Sequence, residues 1–380
     1  MEVQDWPGRA SADQSPHPAV RGWCPTAWRP MMAGDGLLVR VRPRLGRMSR
    51  MQVLGLCDAA LRHGNGHIDL TNRAGLQIRG VKERDHGELV QALAALGLVN
   101  PDASREAAAP FILTPDWRPD DASDVIARAL LDQMDELPPL PPKVGIAIDA
   151  GPAPALAHSP ADFRIERSEH GELLLRAEGR DKGMATSVEG AVDNLIALAH
   201  WFVRSGGVKA GRMARHTALL PHPASHIPAA SRSPSAVIEF CPGRFHGAPF
   251  GRIEADALRG LMDRAHHVRL TPWRGIILEG DDGPSDDPAS PLLSADACPG
   301  APACPQASVA TRDLAARLAP FASDLHVSGC AKGCARPGPA ATVLTGRNGC
   351  FDLAFNARAG SPPARSGLDP QQLFSLFGAS

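Results

Sequence analysis

Four cysteines in the C-terminal part of the chain have the spacing most suggestive of chemistry. Five residues separate Cys298 from Cys304, and three separate Cys330 from Cys334. Gly, Ala and Pro fill nearly all of these positions, so the backbone can approach closely and donate hydrogen bonds to sulfur. Paired cysteines in zinc sites usually have two to four residues between them. The pattern therefore favours a 4Fe–4S cluster over a zinc ion or four buried structural cysteines.

The other cysteines carry weaker signals. Cys57 lies on the apolar face of a predicted helix, where a small hydrophobic core residue is expected. Cys24, in Trp23-Cys24-Pro25, is ambiguous, and no role is assigned to Cys241 or Cys350.

The predicted strands and helices that precede the four cysteines occur in a repeated pattern. Leu70-Thr71 recurs 200 positions later as Leu270-Thr271, each followed closely by an arginine. Leu45-Gly46-Arg47 likewise matches Phe250-Gly251-Arg252. Periodicity predicts the following elements in the first copy: strand Leu37–Arg42, helix Ser49–His63, and strands His67–Thr71 and Ala74–Val81. In the second copy it predicts strand Ala236–Phe240, helix Ala255–Ala265 and a strand pair within Val268–Leu278. We interpret the two copies as homologous half-domains.

Each copy is followed by a different segment. A Pro-rich link, Leu137–Pro142, precedes a predicted strand, Lys143–Asp149. A predicted hairpin follows, and then a helix, Ser187–Arg204, that ends at two glycines. Residues 208–234 are rich in Pro, His and Ser and are interpreted as a linker.

Composition narrows the class of protein. The 380 residues are 43% hydrophobic and 21% charged with a net charge of -1, so nothing global predicts binding to nucleic acid or to an anionic membrane. No apolar run approaches the roughly 20 residues of a membrane span. Residues 1–20 lack the hydrophobic core of a signal peptide and are interpreted as a disordered lead-in. We expect a cytoplasmic monomer whose thiols stay reduced.

Together these motifs resemble the sulfite and nitrite reductase family. The cysteine spacing is similar to its cluster motif, Thr71-x-Arg73-x-x-x-Gln77 to its Thr-x-Arg-x-x-x-Gln segment, and Leu140-Pro-Pro-Lys143 to its lysine-bearing loop. From about Gly22 onward, the resemblance implies an α+β fold in which two ferredoxin-like half-domains pair into a central domain, each followed by an α/β domain. The implied boundaries are 1–20 for the lead-in, 21–104 and 231–283 for the half-domains, 105–230 for the first α/β domain and 284–380 for the cluster domain.

Within that family the chain is most similar to the precorrin-3B synthases, the oxygen-dependent enzymes of aerobic cobalamin biosynthesis. The similarity lies in Arg21–Pro25, Gly34–Leu37, Gly64–Arg73, Leu76–Val81 and Leu270–Gly275. It implies that precorrin-3A is hydroxylated at C20 by dioxygen and closed to a γ-lactone, with the cluster relaying electrons from an external donor. It also implies a mononuclear non-haem iron. No two-His-one-carboxylate pattern stands out, although His216, His222 and His226 crowd one loop.

A tetrapyrrole substrate carries many carboxylates, which guanidinium groups pair with bidentately. Since sirohaem and precorrin-3A share this chemistry, we expect one pocket of cations at the interface of the half-domains. Its predicted lining is Arg40, Arg42, Arg73, Arg79, Arg274 and Lys143, with Arg73 and Lys143 as catalytic residues. Each of these residues could instead lie on a solvated strand face.

Two alternatives remain. The first is a sirohaem-dependent sulfite or nitrite reductase with Cys334 as the bridging axial thiolate. Reductases of the family use two lysines one residue apart, but here Gly145 follows Lys143 at that spacing. A further family arginine would fall near 107–110, where only nearby Arg105 is present. The second alternative is a non-catalytic electron carrier bearing a cluster.

Overall fold

A computed structural model of the chain describes residues 24–106 and 110–379, so the predicted lead-in lies outside the described residues. The strands are β1 Met31–Ala33, β2 Gly36–Val41, β3 Arg47–Ser49, β4 His67–Leu70, β5 Leu76–Val81, β6 Phe111–Leu113, β7 Ile146–Asp149, β8 Phe163–Arg167, β9 Leu173–Ala177, β10 Met184–Ala185, β11 Arg244–Gly247, β12 Arg252–Glu254, β13 His267–Leu270, β14 Gly275–Glu279, β15 Asp296–Ala297, β16 Leu325–Ser328, β17 Ala340–Arg347, β18 Cys350–Ala357 and β19 Arg365–Leu368. The α-helices are α1 Arg50–His63, α2 His86–Ala95, α3 Ala103–Glu106, α4 Ala122–Asp132, α5 Ala191–Arg204, α6 Gly207–Ala210, α7 Pro234–Ile238, α8 Ala255–Leu261, α9 Pro291–Ser294, α10 Arg312–Leu318 and α11 Pro370–Phe377.

Helix α1 shows how local sequence sets an element. The Ser49 side chain accepts a hydrogen bond from the Gln52 backbone, and the Gln52 side chain accepts one from the Ser49 backbone, which is a capping box. The buried face of the helix includes Val53, Leu56 and Cys57. The prediction that Cys57 is a core residue is therefore confirmed.

The two half-domains exchange a strand. β3 of the first copy pairs with β13 of the second, and β12 of the second pairs with β4 of the first. The resulting sheets have the orders β1-β2-β5-β4-β12 and β11-β14-β13-β3. One hydrophobic cluster contains residues of both copies, so the two halves share a core. The predicted pairing of two ferredoxin-like half-domains is confirmed.

Backbone strain repeats at matching positions in the two copies. Leu45 and Phe250 have φ of 55° and 57°, and each precedes a glycine that also has a positive φ. Ala74 and Arg274 have φ of 48° and 55° in the turns between the last two strands. A positive φ is uncommon for residues other than glycine. Its recurrence therefore supports the internal repeat independently of the sequence match.

The predicted strand Ala236–Phe240 is wrong, because this segment begins in a short helix, α7. Ser233 caps that helix by accepting a hydrogen bond from the Ala236 backbone at 3.2 Å, and Pro234 occupies the first turn. Both residues favour helix initiation and outweigh the β-branched Val237 and Ile238. The first strand of the second copy is instead β11.

The segment after the first half-domain forms an α/β layer. Its sheet has the order β10-β9-β8-β7-β6, in which β6, β7 and β8 are parallel. Helices α4 and α5 contribute buried apolar residues to the same cluster as β7, β8 and β9. Residues around Ala74 and Trp273 pack against a small cluster on β6 and β7. This packing joins the half-domains to the α/β layer.

The cysteine-bearing segment, from Asp296 onward, is a compact unit distinct from residues 24–295. Its sheet has the order β15-β16-β17-β18-β19, with the first three strands parallel and the remaining pairs antiparallel. Helix α10 packs against β15 and β16. The loops that follow β15 and β16 hold the four clustered cysteines.

None of the helices that the structure describes is both long and apolar enough to cross a bilayer.

Candidate active site

Arg40 lies on β2 directly across from Gln77 on β5. Its Nη2 donates a hydrogen bond of 3.0 Å to Oε1 of Gln77. The Nε atom of Arg40 is buried and has no hydrogen-bond partner among the described residues. A buried polar atom without a partner costs free energy, so it marks a position where a ligand is expected.

Arg42 and Arg73 bring two more cations to the same region. Both line a cavity of about 620 Å³ between the first half-domain and the α/β layer. Arg44 and Arg105 line it too, together with the carboxylates of Glu106, Asp132 and Asp135 and apolar residues such as Leu98 and Phe111. A cavity of this size, with an apolar wall and a few charged groups, is typical of small-molecule sites.

The cations of this site interact. The pKa of Arg40, Arg42 and Arg73 is lowered from the usual arginine value, chiefly because burial penalises the charged form. Repulsion from Arg40 lowers the pKa of the other two further, while the Glu106 carboxylate raises the pKa of Arg42, and Cys24 and Asp162 raise the pKa of Arg73. Arg40, Arg42 and Arg73 form the cluster that we call the arginine site. Like charges held together in this way favour an anionic ligand.

Arg73 connects the arginine site to the predicted lysine loop. Its Nη2 donates a 2.7 Å hydrogen bond to the backbone carbonyl of Lys143, whose side chain is exposed. A Cβ atom built on Gly145 would lie 3.5 Å from Nη1 of Arg73 and 3.3 Å from the Pro110 carbonyl. The guanidinium of Arg73 is therefore the side-chain group nearest to position 145, at van der Waals distance from a Cβ there.

Two of the predicted pocket residues have partners within the protein. Arg79 is only 4% exposed and is paired bidentately with Asp35 at 2.8 and 2.9 Å. It also forms an ion pair with Asp69, at 3.5 Å between Nη1 and Oδ2. Arg274 donates hydrogen bonds to the carbonyls of Leu293 and Ala295 at 3.3 and 2.5 Å. Like Arg40 and Lys143, neither lines the cavity. Their contacts indicate structural roles, because a carboxylate or carbonyl already occupies each guanidinium.

Sequence reasoning missed two residues beside Arg73. Arg212 lies close enough to lower the pKa of Arg73, and Asp162 is the fully buried carboxylate that binds Arg212. Arg212 falls in the segment interpreted as a linker, and no motif distinguished it. Asp162 immediately precedes the predicted hairpin. The only feature of the sequence that could have identified it is a carboxylate next to an apolar strand.

Glycines allow the cysteine loops to approach each other. Because β15 and β16 are parallel neighbours, Cys298 and Cys330 both follow the carboxyl ends of adjacent strands. The backbone N–H of Gly329 donates a hydrogen bond to Sγ of Cys298 at 3.1 Å. A Cβ on Gly329 would lie 2.6 Å from Cβ of Ala307. Glycine is therefore required for the close packing of the two loops.

The four thiols interact electrostatically. The pKa of the Cys330 thiol is raised, chiefly by burial and further by Cys304 and Cys298. The pKa of Cys334 is raised as well, because protein atoms surround its sulfur although the residue as a whole is exposed, and the other three thiols add to the effect. Converging thiols with an N–H···S hydrogen bond fit the donor set of a 4Fe–4S cluster. Nonetheless, no three His, Cys, Asp or Glu side chains among the described residues have the geometry of a closed metal site.

Among the described residues, the histidines of the predicted linker are not grouped as a metal-ligand set. His216 is buried between the rings of Trp201 and Phe202, and its Nε2 lies 2.7 Å from the Ser205 hydroxyl. His226 is exposed and close to its neighbour Ser225. His216 is therefore a packing residue.

Comparison with known proteins agrees with this architecture. The nitrite/sulfite reductase ferredoxin-like half domain matches residues 29–96. The solved structure of the Mycobacterium tuberculosis NirA protein superposes with a TM-score of 0.60 at 16% identity, covering 89% of this chain and 79% of that chain. A precorrin-3B synthase from Sinorhizobium sp. is 29% identical over 394 aligned residues, covering 90% of this chain and 84% of that protein.

The resemblance of this chain to the nitrite/sulfite reductase family is thus supported by the half-domain match and by the shared fold.

The family match is informative about the site as well as the fold. The matched half domain contains Arg40, Arg42 and Arg73, and it ends before Lys143 and the four cysteines. The α+β fold with a ferredoxin-like half domain, predicted from the sequence, is confirmed.

Proposed function

We propose that the protein is an oxygen-dependent oxidoreductase of aerobic cobalamin biosynthesis that converts precorrin-3A to precorrin-3B. The similarity to a precorrin-3B synthase over nine tenths of the chain supports the pathway. In the proposed reaction one atom of dioxygen becomes the C20 hydroxyl and an acetate side chain closes to a γ-lactone. The second oxygen atom leaves as water, with two electrons supplied by an external donor.

The observation that carries the proposal is the arginine site. Three partly buried guanidinium groups repel one another beside a cavity of about 620 Å³, and one buried Arg40 nitrogen lacks a partner. A ligand with several carboxylates offsets both costs, because each carboxylate can pair bidentately with a guanidinium. A methylated, carboxylated tetrapyrrole also offers apolar edges to Leu98 and Phe111.

Gly145 argues against the runner-up, a sirohaem-dependent sulfite or nitrite reductase. Reduction of those small anions needs a dense set of proton donors around the substrate. The lysine expected at position 145 is absent, and the nearest cation to that position is the Arg73 guanidinium, which the Lys143 carbonyl holds. The site keeps the cations that bind a tetrapyrrole and lacks part of the set that protonates sulfite.

The chain's own residues account for binding and orientation. Arg40, Arg42 and Arg73 bind carboxylates of the substrate, and Gln77 holds the Arg40 guanidinium in place. The Lys143 carbonyl orients Arg73, and the exposed Lys143 ammonium is available to a carboxylate at the edge of the site. Cys298, Cys304, Cys330 and Cys334 would hold the 4Fe–4S cluster, which when bound supplies single electrons.

The decisive experiment uses the whole protein purified without oxygen. Iron, sulfide and optical analysis should give about four iron atoms per chain as the cluster, plus any mononuclear iron, and no red absorption band of sirohaem. With precorrin-3A, a reductant and labelled dioxygen, the product should be a hydroxylated γ-lactone that carries the label. The Cys330→Ser variant should lose the cluster absorption and the activity, while the matched Cys57→Ser variant keeps both.

Two results would reject the proposal. Stoichiometric sirohaem with turnover of sulfite or nitrite would establish the reductase instead. A protein that holds a cluster but binds no tetrapyrrole would be an electron carrier.

A further inference from the structure

Asp162 is the most completely buried carboxylate near the arginine site, with no exposed surface. Its Oδ2 accepts a hydrogen bond from the Gly145 backbone at 3.0 Å. Its Oδ1 accepts two more, from Nε of Arg212 and from the Met213 backbone, both at 2.8 Å. This single carboxylate therefore joins two segments of the chain. One is the residue immediately before β7, which lies beside Arg73, and the other is the segment that contains Arg212.

Arg212 is bound by only one of its three nitrogens. Its Nε is held by Asp162, and no described residue accepts a hydrogen bond from either terminal nitrogen. The side chain is 28% exposed, so a ligand can reach it. An arginine fixed at Nε keeps both terminal N–H groups in a planar fork that matches a carboxylate.

The position of Arg212 relates it to the arginine site. Gly145, which Asp162 holds through its backbone, is the residue whose Cβ would lie 3.5 Å from Nη1 of Arg73. The electrostatic repulsion between Arg212 and Arg73 is strong enough to lower the pKa of Arg73, after the larger effect of burial. Arg212 is thus joined through Asp162 to Gly145, the residue beside the Arg73 guanidinium.

We propose that Arg212 is a fourth carboxylate-binding residue of the arginine site and that Asp162 is the positioning residue that holds it there. The inference rests on the proposed tetrapyrrole substrate and adds a residue that contacts it. Asp162 stabilises the charge of Arg212 through Nε and leaves the terminal nitrogens for a carboxylate of the ligand. An exposed arginine without this hydrogen bond to Asp162 would lose side-chain conformational entropy when it binds a ligand.

The test uses uroporphyrin, a tetrapyrrole with acetate and propionate side chains, as the probe for the full-length protein. Arg212→Ala should weaken binding by roughly 10–100-fold, as expected for one lost charge-assisted contact. The matched control is Arg215→Ala, which removes an exposed arginine from the same segment and should leave the affinity unchanged. Equal affinities for the Arg212→Ala variant and the native protein would overturn the proposal.

The Asp162→Asn variant distinguishes a role of Asp162 in positioning Arg212 from an effect of its negative charge alone. Removing a negative charge beside two arginines should tighten binding of an anion if only the net charge matters. Loss of positioning should instead weaken it, and Asp162→Asn should add little to Arg212→Ala in the double variant, because both changes remove one interaction. Tighter binding, or additive losses, would reject the positioning role.

Two further measurements keep these results interpretable. If Asp162→Asn does not fold, Arg212→Lys keeps the charge but removes the Nε hydrogen bond, and it should bind uroporphyrin more weakly than the native protein while unfolding at a similar temperature. If Arg212→Lys bound uroporphyrin as tightly as the native protein, the positioning role of the Asp162 hydrogen bond would be rejected. Failure of the native protein to bind uroporphyrin at all would count against the tetrapyrrole site itself, whereas native binding with an unaffected Arg212→Ala variant would count against this inference alone.

Discussion

In the first half-domain Arg40 lies across from Gln77 between β2 and β5, and in the second half-domain the corresponding pair between β11 and β14 is Phe245 and Ile277. Phe245 and Ile277 are fully buried and belong to one apolar cluster with Trp273, which stands 200 positions after Arg73. The same three positions of one scaffold therefore carry a hydrogen-bonded cation site in one copy and a packed core in the other. A duplicated backbone does not fix the chemistry of a site, because the side chains at a few facing positions decide it.

Charges at the strand exchange show a different relation between the copies. Arg252 of β12 donates to Asp69 of β4 at 2.8 Å, and Arg47 of β3 donates to Glu279 of β14 at 3.0 Å. Arg79 also faces Asp69, and Arg269 also faces Glu279. The carboxylate lies on β4 in the first copy, but in the second copy it lies on β14, the counterpart of β5. In both copies the exchanged strand, β12 or β3, has an arginine that pairs with this carboxylate. Structural charges are conserved as a pairing, whereas the arginine site is present in one copy only.

The largest expected effect comes from converting the first copy into the second. In the double variant Arg40→Phe with Gln77→Ile, the affinity for uroporphyrin should fall by more than about 100-fold, since the proposed charge-assisted contact of Arg40 and the hydrogen bond that orients it are both lost. The free energy of unfolding should rise by about 1–3 kcal/mol, because apolar side chains replace a partly buried cation. Fluorescence titration and chemical denaturation measure the two effects.

The matched control alters the same positions of the second copy. Phe245→Leu with Ile277→Val should lower the free energy of unfolding by about 1–3 kcal/mol and leave the affinity unchanged. Equal losses of affinity in the two double variants would show that both copies contribute to the site.

A smaller difference is expected between the turn arginines of the two copies. Arg73→Ala should weaken uroporphyrin binding by roughly 10–100-fold, because Arg73 lines the cavity. Arg274→Ala should leave binding unchanged and lower the free energy of unfolding by about 1–2 kcal/mol, since the carbonyls of Leu293 and Ala295 lose a donor. If Arg274→Ala weakened binding as much as Arg73→Ala, the original expectation that Arg274 lines the pocket would be restored.

The last expected effect is the pH dependence of the paired charges in the second copy, which disappears at low pH. Burial by itself would raise the pKa of Glu279, but hydrogen bonds from Arg47 and Arg269 outweigh it and hold the pKa below the usual value for glutamate. A lowered pKa gives stability that is present above the unfolded-state pKa and is lost as the pH falls through the folded-state pKa. Relative to Glu279→Gln, the native protein should gain about 1–3 kcal/mol of unfolding free energy at neutral pH.

This difference should shrink as the pH falls below about 4, where the unfolded-state carboxylate becomes protonated. Denaturant titrations of both proteins across this range give the comparison. The exposed Glu239→Gln variant is the control and should match the native protein throughout. A difference between native protein and Glu279→Gln that does not change with pH would mean that the carboxylate charge is not what stabilises this pairing.

Much of the architecture could be predicted from local signals. The capping residues of α1, the repeated Leu-Thr and Gly-Arg segments and the spacing of the four cysteines are short-range features, and they indicated the duplicated half-domains and the cluster loops. The strand predicted at Ala236–Phe240 failed because a serine cap and a following proline outweighed β-branched residues. The exchange of β3 and β12 gave no local signal, because pairing between distant strands depends on the packing of both copies.

The sequence alone determined which side chains carry charge and which carry thiols, since residue identity and spacing fix those properties. Only the tertiary structure decided which arginines line the cavity. Arg79 is neutralised by Asp35, 44 positions away, and Arg73 receives Arg212 as a neighbour from a segment interpreted as a linker. The physical reason is that Coulomb energy depends on distance and burial in the folded chain, and neither quantity can be read from positions along the sequence.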